Sequence, residues 1–172
     1  MRLESLPEEA LKEILALTEA KKKLDLREEA QNKFMPFAHH VYENFIEGRH
    51  HRVIAEKLER VARGELKRLI INMPPRHSKS EFASFLMPAW FLGRNPKLKI
   101  IQATHNTELA VRFGRKVRDL IDDPAYKEVF PETNLKEDNK GAGKWQTDKG
   151  GEYFAAGVGA SVTGRGADLF II

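Results

Sequence analysis

Lys79 and Ser80 stand at a junction: behind them lie an apolar run, Leu66 to Met73, and a Pro74-Pro75 turn, so that Arg68 to Ser80 reads RLIINMPPRHSKS. A lysine placed between an apolar strand and the start of an amphipathic helix suits a phosphate-binding loop. Backbone N–H groups and the positive end of the helix dipole face the anion, and the ammonium neutralises it. Set against the pattern GxxxxGK[ST], the segment puts Met73 and Ser78 on the two glycine positions. The match therefore fails as a string and rests on context. The prolines hold φ at about −65° and can stiffen the loop in place of glycine turns. A left-handed serine at position 78 would cost about 1–2 kcal/mol. The same residues also read as a tight turn with Ser78 or Ser80 capping an ordinary helix.

Other residues offer weaker chemistry. Gly141-Ala142-Gly143-Lys144 mimics a glycine-rich phosphate loop but has no hydroxyl residue after the lysine and no strand before it. The pairs His39-His40 and His50-His51 suggest a metal, yet neighbours on a helix point about 100° apart, so packing or surface roles are expected for them. His77 can donate to a phosphate when protonated or simply face solvent. Thr104-His105-Asn106 falls at a strand tip, where Asn106 is expected to cap the next helix.

These residues must be positioned by an alternating framework. Ser5-Leu6-Pro7-Glu8 has the form of a capping box, and Leu11, Leu15 and Thr18 follow at helical spacing, with the helix expected to end near Lys21-Lys22-Lys23. Val41 and Phe45 mark a second helix ending at Gly48, and Ile54, Leu58 and Val61 a third ending at Gly64. From Leu66 the pattern becomes strand 66–73, loop, helix 79–92, strand 98–104, helix 106–121. Near-continuous apolar strands alternating with helices predict a parallel sheet with ligands at the strand C-terminal ends. Residues 122–150 read as an irregular excursion. Trp145 to Thr147 and Glu152 to Gly157, joined through Gly150-Gly151, read as a hairpin.

Composition narrows the classes. With 172 residues, 41% of them hydrophobic, the chain can bury a full core, and 31% charged residues fit a soluble globular protein in a cytoplasmic setting. There is no apolar run long enough to span a membrane and no secretory leader. The absence of cysteine removes disulfides, thiolate catalysis and cysteine-ligated zinc. A formal charge of +4 leans toward a polyanionic partner. The chain closes on the apolar run Ala167 to Ile172, which reads as a buried strand of a longer polypeptide.

Four blocks in order extend the loop: Met73 to Glu81, Pro88 to Pro96, Ala155 to Gly159, and Thr163 to Asp168. Together, over about residues 35–172, they resemble the large terminase subunit of tailed bacteriophages. The resemblance implies an α/β P-loop NTPase core (65–172) with a parallel sheet flanked by helices. It is preceded by a helical N-terminal extension or lid (1–64), ends at the Walker B strand, and lacks the C-terminal nuclease domain. It implies an ATPase that drives double-stranded DNA into a procapsid, with ATP and Mg²⁺ as cofactors. The implied partners are the portal protein, the small terminase subunit and further copies in a homo-oligomeric ring. The implied setting is the host cytoplasm and, transiently, the procapsid, with no membrane. Carried over by position, Pro75, Arg76, His77, Ser78, Lys79 and Ser80 bind the nucleotide. Lys79 neutralises the β- and γ-phosphates, Ser80 holds Mg²⁺, Arg76 acts on the γ-phosphate in cis, and Arg165 reaches a neighbouring subunit. Phe37 and Tyr42 lie where such motors stack adenine, although core packing is their other reading. The family's Walker B acids would follow Ile172, so residues 1–172 alone are expected to bind nucleotide weakly, if at all, and not to turn it over. Two alternatives stay open: a helicase-like or repair P-loop ATPase, and a non-catalytic basic module with a degenerate phosphate loop that binds DNA or partners.

Overall fold

A computed structural model describes residues 7–172. The expected capping box begins at Ser5, which lies outside the described residues. Helix α1 spans Glu8–Asn32, well past the expected stop at Lys21-Lys22-Lys23. No glycine or proline interrupts Glu19 to Asn32, so the lysines ride on a continuing helix rather than ending one. Helix α2 covers Phe34–Val41 and stops before Phe45, because Tyr42 is extended and Asn44 is left-handed at φ 58°. The expected second helix is thus shorter and ends sooner than Gly48. Helix α3, Arg49–Ala62, closes as expected at Gly64, whose φ of 76° suits a residue without a Cβ.

The run 66–73 is the main departure. It is extended, with Leu69, Ile71 and Met73 half-buried and Ile70 and Asn72 exposed, yet among the described residues it pairs with no strand. Alternating exposure gives the shape of a strand, but a strand also needs a partner edge about 4.8 Å away, and that condition is non-local. After the loop come a π-helical turn, Glu81–Leu86, and helix α4, Met87–Arg94, where one regular helix was expected. Pro88 supplies the reason: it has no N–H for the Ser84 carbonyl and its ring would strike that group, so the preceding turn widens. The Met87 N–H reaches back to the Phe82 carbonyl instead.

Five strands form the sheet: β1 Lys99–Thr104, β2 Leu135–Lys140, β3 Lys144–Thr147, β4 Glu152–Gly157 and β5 Leu169–Ile171, in the order β2-β3-β4-β1-β5. β1 runs parallel to β4 and β5, but β2, β3 and β4 pair antiparallel, so the sheet is mixed rather than parallel throughout. The β3–β4 hairpin is the expected one. Helix α5, Thr107–Ile121, follows β1 and packs over β4. The region expected to be irregular holds β2 and helix α6, Pro124–Val129, started by Pro124 and by the Asp123 carboxylate accepting the Ala125 N–H at 2.8 Å.

One apolar core joins the helical segment to the α/β part. Phe34 meets Phe82 and Trp90 edge-on, at centroid separations of 5.3 and 5.5 Å, and the Trp90 indole donates to the Ala30 carbonyl at 3.0 Å. Phe37 packs on Tyr126 and Phe130, while the Tyr126 hydroxyl donates to the Ala89 carbonyl. Across the sheet, Trp145 stacks on Tyr153 at 4.9 Å and donates to the Gly114 carbonyl. Burial pushes the hydroxyl pKa of both Tyr126 and Tyr153 up, and both act as neutral donors. Residue 64 therefore marks a change of element type, not a boundary between cores.

Candidate functional site

The extended run delivers its C-terminal end to the loop 74–78. There the main chain adopts two left-handed residues that are not glycine, Arg76 at φ 62° and Ser78 at φ 59°. Each costs about 1–2 kcal/mol relative to a relaxed conformation. Left-handed residues of this kind occur in the concave turns whose N–H groups receive an anion. Three contacts hold the shape. The Lys79 ammonium folds back to the Met73 carbonyl at 3.4 Å, His77 Nδ1 donates to the Pro75 carbonyl at 2.8 Å, and the Ser78 carbonyl accepts the Phe82 N–H at 2.9 Å. The six residues expected to act together, Pro75 to Ser80, are thus gathered in one turn at a helix start. Lys79 and Ser80 are exposed.

Charge around this turn is one-sided. Glu81, the nearest carboxylate in sequence, is drawn away by Lys116 of α5, which contacts its two oxygens at 3.0 and 2.9 Å and lies over the Phe85 ring. Among the described residues no carboxylate pairs with Arg76 or Lys79. The Glu81–Lys116 pair also ties the π-helical turn to α5, a link between residues 35 apart that no local pattern announces.

The structure sets Arg165 apart from the loop. Its guanidinium donates to Glu152 at 2.6 Å and lies 4.0 Å over the Phe154 ring, at the first residues of β4. It is folded against its own sheet rather than extended from it. Asp168 is likewise committed: its carboxylate accepts the Lys99 N–H at 2.7 Å and its own N–H donates to the Lys99 carbonyl. This brace at the start of β5 commits Asp168 to a structural role.

The remaining candidates settle into ordinary contacts. Phe37 is wholly buried in the core and cannot stack on a ligand, while Tyr42 packs edge-on against Phe45. His39 pairs with Glu47 and His40 with Glu128. His50 and His51 do not diverge as expected. They sit in the first turn of α3, where the His51 ring turns back to accept the Gly48 N–H, and their Nε2 atoms come within 3.0 Å. Burial, followed by the charge of His50, lowers the His51 pKa from its usual 6.5. Among the described residues no three His, Asp or Glu side chains converge as a metal site. Asn106 caps α5 by accepting the Leu109 N–H at 2.8 Å. Of the Gly141 to Lys144 stretch, Gly141 to Gly143 form the turn between β2 and β3 and Lys144 opens β3; the turn packs so closely on Gly114 that a Cβ there would meet the Ala142 carbonyl at 2.6 Å. Among the described residues no helix is long and apolar enough to cross a membrane.

Fold and site together define an α/β protein with a five-stranded mixed sheet flanked by helices and a basic, strained loop at a helix start. No family model, curated protein or solved structure matches the chain.

Proposed function

We propose that residues 73–80 are the phosphate-binding loop of a nucleoside triphosphatase, and that the chain is ATPase core of a large terminase subunit. The first part is supported by one observation above all: two non-glycine residues held left-handed immediately before a helix that starts with Lys-Ser. Strain of this size persists where the surroundings over-determine it, and such places cluster at ligand clamps. The second part rests on the four sequence blocks that resemble terminases.

The residues present suit a polyphosphate and a divalent cation. The main-chain amides of 76–80 and the Lys79 ammonium would hold the phosphates, Arg76 would add a second cation, and the Ser80 hydroxyl would face the metal. ATP would supply the phosphoanhydride whose hydrolysis drives movement, and Mg²⁺ would offset phosphate charge. The Lys79 contact with Met73 is long for a hydrogen bond and exposed, so the ammonium can leave it for a phosphate at small cost. Double-stranded DNA, the portal, the small subunit and a ring of copies are the partners this reading carries. Arg165 would serve a neighbouring copy only after leaving Glu152 and Phe154.

Titration of the 172-residue chain with ATP and Mg²⁺ tests the loop. Binding that weakens at least about tenfold in Lys79→Ala supports it; no binding to the parent chain, or equal binding by both, rejects it.

A further inference from the structure

Residues 12–26 of α1 are an unbroken run of exposed helix, roughly 22 Å long at 1.5 Å per residue. Among the described residues, the first side chain of α1 to bond another element is Arg27, which donates to the Val129 carbonyl at 3.3 Å. A lone helix of that length is marginal in water, and helices draw most of their stability from packing an apolar face. The arm carries such a face unused. Ala10, Ile14, Leu17, Lys21 and Leu24 follow one another at alternating steps of four and three residues, the seam of a two-stranded coil, and Leu17 and Leu24 are 63% and 61% exposed.

Charge decides which helix fits that seam. The arm is acidic at its start, with Glu8, Glu9 and Glu13, and basic further on, with Lys21-Lys22-Lys23. Among the described residues Glu9, Glu13 and the three lysines make no ion pair, and Glu8 holds only Lys12. Two copies laid parallel would set lysines beside lysines and glutamates beside glutamates. Laid antiparallel, with Ile14 across from Leu17, the same register sets Glu8 and Glu9 level with Lys23 and Lys22. It also places Lys21 over Ala10 of the second copy, next to Glu13 of that copy. The small alanine leaves room for the lysine stem, which covers apolar surface while its ammonium reaches the carboxylate.

We propose that the arm of α1 pairs with the arm of a second copy of this chain as a short antiparallel coil. The contact uses the same residues on both sides, so it closes at two copies, and a buried lysine that finds its acid in one register alone fixes the alignment. The proposal does not draw on the phosphate-loop reading.

Sedimentation equilibrium at low salt tests it with a charge swap at two exposed positions, Glu13 and Lys21. The parent chain is expected to dimerise reversibly, and Glu13→Lys and Lys21→Glu each to raise the dimer dissociation constant at least about tenfold, a margin that salt erodes. An equal mixture of the two variants is expected to recover the parent value, because each then offers the charge that the other lacks; this also excludes misfolding as the cause. A parent chain that stays monomeric at about 1 mM, a dimer indifferent to both changes, or a mixture no tighter than the separate variants overturns the proposal. Orientation is read separately. The chain has no cysteine, so a spin label on Leu26→Cys is unique in each copy. Two such labels are expected at least about 30 Å apart in the antiparallel coil; a separation near the roughly 10 Å spacing of side-by-side helices would show parallel pairing and overturn it.

Discussion

Where α1, α2, α4 and α6 meet, the buried aromatic side chains and their polar atoms have found partners; on the side formed by 66–80 and β5, main-chain groups stay open and two residues stay strained. Trp90 shows the first condition, with no exposed surface, Phe34 against its edge, Arg94 over its ring and its N–H on the Ala30 carbonyl. Ser78 shows the second, left-handed at φ 59° in a turn held by few contacts. On the proposed reading, the contrast places stability on one side and ligand binding on the other. A packed aromatic cluster tolerates no visitor, whereas an unsatisfied turn has its binding capacity still to spend.

The largest effect should come from the packed side. Trp90→Ala is expected to lower unfolding free energy by about 3–5 kcal/mol, measured by urea denaturation. A loss under about 1 kcal/mol would mean that the N-terminal helices are a separable lid after all. Next, Lys79→Ala should leave that free energy unchanged while weakening ATP about ten- to a hundredfold, the worth of a charge-assisted bond; calorimetric titration beside a thermal melt separates the two. If the melt shifts instead, the lysine belongs to the structure and the contrast fails. Ser78→Gly should raise stability by about 0.5–1 kcal/mol, since glycine relieves the left-handed strain but loosens the unfolded chain. A drop would show that the serine side chain holds the turn.

The smallest effect concerns His51, which links the two sides. Its pKa is depressed in the folded state, so above 6.5 the ring is neutral in both states and makes no difference. As pH falls below that value the unfolded chain takes up the proton first, and stability declines until the folded-state pKa is passed. The neighbours that set this are His50 and His77, which oppose protonation, and Glu47, which favours it. Following unfolding free energy from pH 8 to pH 5, about the titration range of histidine, should show a shallower decline in His51→Gln than in the parent.

Local signals carried much of this. Leu109, Val117 and Leu120 announce α5, Asn106 announces its cap, and the Gly150-Gly151 step announces the β3–β4 hairpin, because each depends on residues a few positions apart. The loop was legible for the same reason, down to the left-handed position of Ser78, although Arg76 gave no sign of sharing it. What lay beyond reach was pairing at a distance. Leu69 and Ile71 alternate like a strand, but nothing in the run says whether an edge lies beside it. Leu135–Lys140 is too polar to stand out and becomes β2 only because β3 returns alongside. Likewise Arg165 cannot be told from a free arginine until the fold brings Glu152 and Phe154 beneath it.

The wide turn at Glu81–Leu86 has a mechanical corollary. An additional residue in that turn sets the angular phase between the loop-bearing end and the anchored barrel of α4, much as a spacer sets the timing of two gears. Removing a single residue there and restoring ordinary winding would leave Lys79 and Ser80 at about the same angle, whereas rewinding the turn as ordinary helix with all its residues kept would swing them by about 100° about the axis. Bulk packing further along could stay as it is while the ammonium aimed elsewhere.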